Sequence, residues 1–264
     1  MLVKMQHQEF EPPEALRDII KCFWHNRGDF GEEQPTFKVL PDGYAEIIFY
    51  FGSIAAVSHN GDLQPLPSPF IMGLLNQPVI LNAKNRLDII AIRCYPWTVF
   101  DLLGLPSGKD EVHVLTHPIV QLQATLEKYV QADRIDEAID QVKQYFLDVR
   151  SQITVDSTLF RAGVAMMEAN GTMPVSEIAA AAYATVRTLE RKFKQSSGYT
   201  VKDVSGLIRF EQARNQLVLY PDSNLAGLAL ELGYTDQAHL SREFKRYSGT
   251  TPAAFARKAK KGSR

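Results

Sequence analysis

The chain has 264 residues, 45% of them hydrophobic, and a formal net charge of −1. This length predicts one or two domains, and the hydrophobic content excludes a wholly disordered chain. The small total charge hides an asymmetry: residues 156–264 hold 16 basic and 10 acidic side chains, a net charge of +6, and residues 1–155 hold 13 and 20, a net charge of −7. This asymmetry indicates that only the C-terminal end meets a polyanion.

The sequence offers little redox or metal chemistry. Its two cysteines, Cys22 and Cys94, stand far apart and outside any CxxC pair, which argues against a zinc ribbon or a redox motif. The first residues lack an apolar signal core, and no run of about 18 apolar residues occurs. We therefore expect two buried thiols in a reducing compartment, a cytoplasmic location, no membrane span, and neither a metal ion nor a cofactor.

The first part of the chain, to about residue 105, has the pattern of a β-rich domain. Residues 44–51 are rich in aromatic and β-branched side chains and end at Gly52, which predicts a strand. Asn60-Gly61 suits the two positive-φ positions of a tight turn and predicts a hairpin. Residues 78–81 and 87–94 predict two further strands. Several short strands separated by turns are typical of a small sandwich or barrel.

Helical patterns follow the predicted strands. The predicted helices cover residues 97–103, 119–130 and 133–149. In the last of these, Ile135, Ile139, Val142 and Phe146 recur at helical spacing and form one apolar face. This face either packs onto the β-domain or pairs with its copy in a dimer, and the sequence alone favours neither interpretation.

Beyond this point the sequence predicts an all-helical domain. The predicted helices cover residues 157–169, 175–183, 185–196, 200–219, 224–233 and 235–249, with a short one after Pro252. Thr185, Asn224 and Thr235 are predicted N-caps, because their side-chain oxygens can accept hydrogen bonds from backbone N–H groups of the first turn. The predicted fold class is α+β, with a ligand-sensing or dimerisation domain over residues 1–153 and a helical domain over 154–264.

One stretch of the helical domain occurs twice. Ile178-Ala179, Leu189-Glu-Arg-Lys-Phe-Lys194 and Gly198 return as Leu228-Ala229, Leu240-Ser-Arg-Glu-Phe-Lys245 and Gly249. The offset is 50 residues between the alanines and 51 between the later matches. Two repeated helix pairs predict two helix-turn-helix units, which can place two helices in successive turns of a DNA major groove. The long helix between them, about 30 Å, nearly matches one duplex turn.

The second helix of each unit carries candidate DNA contacts. Leucine and phenylalanine four residues apart form its buried stripe, so we expect the other positions to face outward. Arginine and glutamine can each make two bonds to a base edge, whereas lysine more readily meets phosphate. The predicted base contacts are Arg187, Glu190, Arg191, Gln237, His239, Ser241 and Arg242. The predicted phosphate contacts are Thr185, Lys192, Lys194, Thr235, Lys245 and Arg246.

Both copies of the repeat, together with residues 209–214 between them, form a recognisable pattern. Its most specific part is Gly233-Tyr-Thr-Asp-Gln-Ala-His-Leu-Ser-Arg-Glu-Phe-Lys245 with Gly249 and Pro252. Residues 156–258 thereby resemble the DNA-binding domain of AraC/XylS-type transcriptional regulators. The resemblance implies seven helices with two helix-turn-helix units joined by one long helix. It also implies base contacts from Arg187, Glu190, Arg191, Gln237, Ala238, Ser241 and Arg242, of which Ala238 can only touch a thymine methyl.

Tyr183 departs from this pattern, because it stands where the first turn usually has a glycine. If the backbone there has a positive φ, a tyrosine is strained by about 1 kcal/mol or more. The departure concerns the geometry of the first turn and leaves the expected fold unchanged.

The N-terminal segment contains Phe23-Trp24, Val39-Leu-Pro-Asp-Gly43, Met72-Gly73 and Arg93 with Tyr95-Pro96. These residues loosely resemble the sensor domains that are fused to AraC/XylS-type regulators. The resemblance implies a compact β-domain related to cupin-like ligand-binding folds, followed by helices.

The N-terminal aromatic residues are candidates for an apolar ligand pocket, although such residues also fill ordinary cores. The candidate lining residues are Trp24, Tyr44, Phe49, Phe51, Arg93 and Trp97. Arg93 meets either an anionic ligand or a structural carboxylate such as Glu46. We find no His-x-His pair, no G-x-S-x-G elbow and no glycine-rich phosphate loop, so we do not expect an enzyme.

The leading hypothesis is a transcription regulator, activator or repressor, that binds double-stranded DNA and senses a small-molecule effector through its N-terminal domain. A second hypothesis is a constitutive DNA-binding protein whose N-terminal domain only contacts other proteins, such as a second copy in a homodimer or RNA polymerase. A third is an enzyme with a fused DNA-binding domain.

Overall fold

The computed structural model describes residues 6–32, 34–57, 61–105, 112–150 and 156–262. The chain divides into two compact units. The first comprises Met1–Val39, Tyr44–Leu74 and Val79–Val155, and the second comprises Leu40–Gly43, Leu75–Pro78 and Asp156–Arg264. The first unit contains the sheet and the second is helical, which confirms the α+β class. The predicted boundary between residues 153 and 154 lies outside the described residues.

The described strands form one antiparallel sheet in the first unit. They are β1 (Gln6–Phe10), β2 (Ile20–Asp29), β3 (Thr36–Val39), β4 (Ala45–Val57), β5 (Leu63–Pro65), β6 (Phe70–Met72), β7 (Val79–Cys94) and β8 (Val112–Val114). Their order is β1-β2-β7-β4-β6-β8, while β3 also pairs with β7 and β5 pairs with β4. The predicted hairpin is confirmed for β4 and β5, but Asn60 of its turn lies outside the described residues.

Two of the predicted strand ends were wrong. Residues 78–81 and 87–94 belong to the single strand β7, and the strand predicted for 44–51 continues past Gly52. Gly52 has a φ of 133°, and a Cβ there would lie 2.5 Å from the carbonyl oxygen of Arg86 on β7. Glycine therefore permits two long strands to bend together at this point, and it does not end either of them.

Helices pack onto one face of the sheet. The apolar face of the helix that was predicted for residues 133–149 is buried there. The helices of this unit are α1 (Val99–Leu103), a 3-10 helix (Pro118–Leu122), α2 (Gln123–Gln131) and α3 (Ile135–Arg150), with a second 3-10 helix at Glu14–Leu16. Ile139, Val142 and Phe146 are fully buried in the core with Phe23 and Ile90 of the sheet. The first interpretation of this apolar face is confirmed, and these three side chains are not available for pairing with a second copy.

The second unit consists of helices with clear local start and stop signals. They are α4 (Ser157–Glu168), α5 (Val175–Ala181), α6 (Val186–Ser197), α7 (Val201–Leu219), α8 (Leu225–Glu231), α9 (Gln237–Ser248) and α10 (Pro252–Gly262). The predicted N-caps Thr185 and Asn224 are confirmed, since their side chains accept hydrogen bonds from the backbone N–H groups of Thr188 and Ala226. The predicted N-cap Thr235 was wrong, because Asp236 accepts the bond from the N–H of His239 at 2.7 Å.

Candidate nucleic-acid interface

The second unit contains two helix pairs built in the same way. In the first pair, α5 buries Ile178 and Ala179 against Leu189 and Phe193 of α6. In the second pair, α8 buries Leu228 and Ala229 against Leu240 and Phe244 of α9. A small alanine on the first helix of each pair allows the second helix to cross it closely. We call α6 and α9 the second helices.

The turns of the two pairs have the same hydrogen bonds. In the first turn, the N–H of Tyr183 donates to the carbonyl of Ala180 and the N–H of Ala184 donates to that of Ala179, at 3.0 and 2.9 Å. In the second, Gly233 and Tyr234 donate to Leu230 and Ala229, at 3.1 and 2.9 Å. This is the Schellman arrangement, which needs a left-handed residue after the helix. Tyr183 and Gly233 supply it, with φ of 51° and 69°.

The exposed face of each second helix is centred on an arginine. A helix turns by about 100° per residue, so the direction opposite to the buried stripe falls near Arg191 on α6 and near Arg242 on α9. Both arginines are exposed, and they stand 51 residues apart, in the register of the repeat. The face of α6 also exposes Arg187 and Lys194, and that of α9 exposes Gln237, Ala238, Lys245 and Arg246.

The two faces differ at equivalent positions. Arg187 of α6 corresponds to Ala238 of α9, and Thr188 corresponds to His239. The imidazole Nδ1 of His239 lies 2.8 Å from the hydroxyl of Thr235, and its ring meets the ring of Tyr234 edge-on at 5.2 Å. The His239 ring is therefore held in one orientation, whereas Ala238 presents only a methyl group.

Two of the predicted contact residues do not face fully outward. The carboxylate of Glu190 accepts a hydrogen bond from the backbone N–H of Val201 at 3.3 Å, which ties α6 to the first turn of α7. The ammonium group of Lys192 bonds to the carboxylate of Asp156, the N-cap of α4. Both side chains are half-buried, because they sit at the edges of the buried stripe. The expectation that Glu190 faces outward needs correction, and Lys192 has a protein partner.

The other predicted contacts lie at the ends of the two faces. Thr185 and Thr235 are exposed beside the starts of α6 and α9, and Ser241 is half-buried. The exposed Gln195, which is absent from the predicted contacts, lies one turn beyond Arg191 and accepts a hydrogen bond from its guanidinium at 3.5 Å. The 51-residue register could have identified it, because it pairs Gln195 with Arg246.

In the first unit, four of the six candidate pocket residues lie in one connected group. Glu46 accepts hydrogen bonds from the indole of Trp24 at 3.0 Å and from Arg93 at 2.8 Å. Arg93 also covers the ring of Tyr44, which meets Tyr95, and Tyr95 stacks on Trp97 at 5.3 Å between ring centroids. The sequence allowed either an anionic ligand or a structural carboxylate as the partner of Arg93, and in the structure Arg93 bonds to the carboxylate of Glu46.

Phe49 and Phe51 lie on the face of β4 opposite to the face that carries Glu46, since successive side chains of a strand point to opposite sides. Phe49 pairs with Ile90 and is fully buried in the core, and Phe51 pairs with Asp88. The structure therefore does not bring all six candidates to one pocket.

An open groove of about 310 Å³ lies beside Phe51. Its lining residues are Phe51, Gly52, Arg86, Asp88, Glu127, Val130 and Gln131. This volume is at the small end of ligand sites, and most of the side chains that line it are polar.

A buried carboxylate anchors the polar wall of this groove. Asp88 accepts hydrogen bonds from Arg27 at 2.5 Å and Arg86 at 3.1 Å, and it lies 3.0 Å from the imidazole of His25. Burial alone raises the pKa of Asp88, but the bonds from His25, Arg27 and Arg86 outweigh it and hold the pKa below its usual value. No local pattern in the sequence predicts this cluster, because its members come from two strands far apart in the chain.

Two observations on the described residues concern metal and thiol chemistry. They contain no group of three or more histidine, cysteine or acidic side chains that could hold a metal ion. Cys22 and Cys94 are buried and form no disulfide, and burial raises the pKa of the Cys22 thiol to about 11, so it is protonated at neutral pH. In the same part of the chain, none of the helices is long and apolar enough to cross a membrane.

Two family models match the chain. One is described as "Helix-turn-helix domain" and matches residues 178–258, and the other is described as "Domain of unknown function (DUF6597)" and matches residues 8–115. The "HTH-type transcriptional regulator RipA" of Corynebacterium diphtheriae is 30% identical over 82 residues, which are 31% of this chain and 24% of RipA. The chain thus spans about a quarter of the length of this curated relative.

Solved structures are also similar to this chain. Wild-type ToxT from Vibrio cholerae with bound unsaturated fatty acid is 14% identical, with a TM-score of 0.49 over 89% of this chain and 94% of ToxT. A transcriptional regulator of the AraC-type DNA-binding class from Chromobacterium violaceum is 26% identical, with a TM-score of 0.36 over 39% of this chain and 91% of that one. From the two family matches and the duplicated helix pairs, residues 178–258 form a helix-turn-helix domain of the AraC type, and residues 8–115 match a domain of unknown function.

Proposed function

We propose that the chain is a transcription regulator that binds double-stranded DNA in a sequence-specific manner, with α6 and α9 in successive major grooves. The observation that carries this proposal is the position of Arg191 and Arg242. Each is exposed at the centre of a basic face, at the same place in two helix pairs of the same construction. An exposed arginine on a helix that enters the major groove can donate two hydrogen bonds to guanine.

The other exposed side chains divide by chemistry. Arg187, Gln237 and His239 have donors for base edges, and Ala238 can contact a thymine methyl. In this proposal phosphates, which fix the register of the protein on the duplex, are contacted by Thr185, Lys194, Thr235, Lys245 and Arg246. We give Glu190 and Lys192 no role as DNA contacts, because each already bonds within the second unit.

The N-terminal domain, residues 1–153, is in this proposal the sensor of a small-molecule effector, and residues 154–264 form the DNA-binding domain. The groove beside Phe51 and Arg86 is the candidate effector site. The effector acts only if it binds one arrangement of the protein more tightly than another. Dimer formation, contact with RNA polymerase and a cytoplasmic location also belong to the proposal.

Selection of bound duplexes from a random pool, at stated salt concentrations, tests DNA recognition. We expect a site with two preferred halves, centred about one helical turn apart. Equal recovery of all sequences would reject sequence-specific binding.

A thermal-shift screen of small metabolites tests sensing. A ligand at about 100 times its Kd stabilises the folded protein by about 2.7 kcal/mol. A melting temperature that no compound raises would favour the constitutive alternative, in which the N-terminal domain serves only contacts with other proteins.

A further inference from the structure

One guanidinium on the long helix α7 contacts both the turn that leads into the first helix pair and the second helix pair. Arg209 donates a hydrogen bond through Nη1 to the carbonyl of Gly171, at 3.1 Å, in the turn that leads into α5. Through Nη2 it donates to the carboxylate of Glu243 on α9, at 3.5 Å. Its Cζ also lies 5.2 Å from the centre of the Tyr234 ring, at the turn between α8 and α9. We call Gly171, Arg209, Tyr234 and Glu243 the Arg209 junction.

The junction is tightly packed. A Cβ on Gly171 would lie 2.3 Å from the carbonyl oxygen of Ser205 on α7, so no larger residue fits without a shift of the backbone. A Cβ on Gly206 would lie 3.0 Å from the hydroxyl of Tyr247 on α9. Glycines thus bring the turn between α4 and α5, and the second helix of the second pair, against α7. The Arg209 side chain is only 14% exposed between them.

The turn that leads into the first pair also touches the second pair directly, beside the junction. Gly233, in the turn of the second pair, lies against Thr172, since a Cβ on Gly233 would be 3.4 Å from the Thr172 side chain. That distance corresponds to an ordinary van der Waals contact. Such a contact has no directional preference and does not fix the orientation of the two segments. Arg209, in contrast, joins the turn that leads into α5 to helix α9 with directional bonds from a single side chain.

We propose that Arg209 is a positioning residue that keeps α6 and α9 at one separation, and that it thereby makes the protein select the spacing between the two halves of its DNA site. The inference rests on the proposed function, because it supposes that both second helices bind DNA. With two modules on one chain, a stiff connection concentrates the second module at one distance, and a loose connection spreads it over several. Arg209 supplies the stiffness, although it lies away from the exposed faces of α6 and α9.

The test uses the full chain and duplexes that carry the selected site. In one set the two halves stand at their natural spacing or one or two base pairs nearer or farther, and another duplex carries a single half. Each added base pair rotates one half by about 35° and shifts it by about 3.4 Å. We expect the Kd of the wild type to rise about tenfold when one base pair is added between the two halves.

Arg209→Met keeps the unbranched stem of the side chain and removes the guanidinium with its fork of donors. We expect it to bind the natural site about tenfold more weakly, to bind the single half unchanged, and to show only about a twofold to threefold penalty for altered spacing. Arg214→Met is the matched control, because Arg214 lies on the same helix and pairs with Glu211 one turn away, at 3.6 Å. It should keep the wild-type dependence on spacing.

The inference is overturned if Arg209→Met shows the wild-type spacing penalty, if Arg214→Met loses it equally, or if the wild type has no spacing preference. Should Arg209→Met fail to fold, two milder variants decide by the same measurement: Arg209→Lys, whose single ammonium group replaces the fork of donors, and Glu243→Gln, which removes the charge that Arg209 faces. A wild type that binds no specific site at all would instead reject the proposed function.

Discussion

Tyr183 and Gly233 occupy the same position in the turns of the two helix pairs, and both adopt a left-handed backbone. Glycine takes this conformation freely, whereas a tyrosine with φ of 51° is strained by about 1–2 kcal/mol. The Tyr183 side chain is 85% exposed and has the guanidinium of Arg161 over its ring. It therefore recovers little of this strain through burial.

Tyr183→Gly should raise the free energy of unfolding of the second unit by about 0.5–1 kcal/mol, because relief of strain exceeds the added flexibility of the unfolded chain. Far-ultraviolet circular dichroism during thermal unfolding measures this. Gly233→Ala is the reverse experiment and should cost about 1 kcal/mol through the backbone alone, since its Cβ meets Thr172 at an ordinary distance. A loss of stability in Tyr183→Gly would show that the ring contributes more than its exposure indicates.

Arg191→Ala and Arg242→Ala should each relax sequence preference at one or two base pairs, in different halves of the site. The loss of discrimination should be about 1–3 kcal/mol for each, because one bidentate contact to a base is removed. Repeated selection with each variant measures this. If both variants weaken binding to all sequences alike, the arginines contact phosphate.

Lys192 and Lys194 are nearby lysines for which the structure predicts opposite effects. Lys192→Met should lower the free energy of unfolding by about 0.5–1 kcal/mol, through loss of its bond to Asp156, and leave the salt dependence of DNA binding unchanged. The exposed Lys194 should show the reverse, with unchanged stability and a salt slope shallower by about 1 in Lys194→Met. A steeper or equal slope for Lys194→Met would remove it from the phosphate contacts.

Asp156 gives the second unit a pH-dependent element of stability. Partial burial by itself raises the pKa of Asp156, but bonds from Lys192 and from the N–H groups of Leu159 and Thr158 prevail and lower it. A carboxylate with a lowered pKa in the folded state stabilises the protein above its unfolded pKa, and this stability disappears as the pH falls through the folded value.

Asp156→Asn tests this dependence, because asparagine also caps helices well and only the charge is lost. The difference in free energy of unfolding between wild type and variant should be constant above about pH 5 and shrink below about pH 4. Denaturant unfolding at several pH values measures it. A difference that does not vary with pH would contradict the assignment.

Asp88→Asn should destabilise the first unit by about 3 kcal/mol, because the buried His25 and the half-buried Arg27 would lose the charge that they face. Both tryptophans, Trp24 and Trp97, belong to the first unit, so tryptophan fluorescence reports its unfolding separately. Asp140→Asn is the matched control, since Asp140 is 71% exposed and its change should stay within about 0.5 kcal/mol. Equal effects of the two variants would show that the Asp88 cluster does not hold the sheet.

The second unit was more predictable from sequence than the first, because helix caps, turns and the repeat are local signals. Even there, the expected cap Thr235 lies one residue before the true cap Asp236, although the 51-residue register pairs Asp236 with Thr185. In the first unit, Gly52 resembled a strand end and proved to be a bend within a strand, and only the approach of Arg86 from β7 explains why. Such contacts between distant segments leave no local pattern.

In the candidate site, too, positions set by local pattern were predictable from sequence and positions set by distant partners were not. Periodicity alone places Arg191 and Arg242 on exposed faces, and both are exposed. Glu190 and Lys192 lie at the borders of those faces, where partners from other helices decide their environment. The alternation of side chains along β4 is by itself enough to separate Phe49 and Phe51 from Glu46, because odd and even positions point to opposite faces.

The difference between Arg187 and Ala238 has a consequence for the DNA sequence that the protein would bind. If the exposed faces of α6 and α9 were identical, the protein would favour the same bases in both halves of its site. Because α6 carries a guanidinium where α9 carries a methyl group, the two halves differ and the site has a direction. In the proposed complex a single protein molecule would thus bind its target in one direction, and inversion of the target would reverse the order in which α6 and α9 meet the promoter.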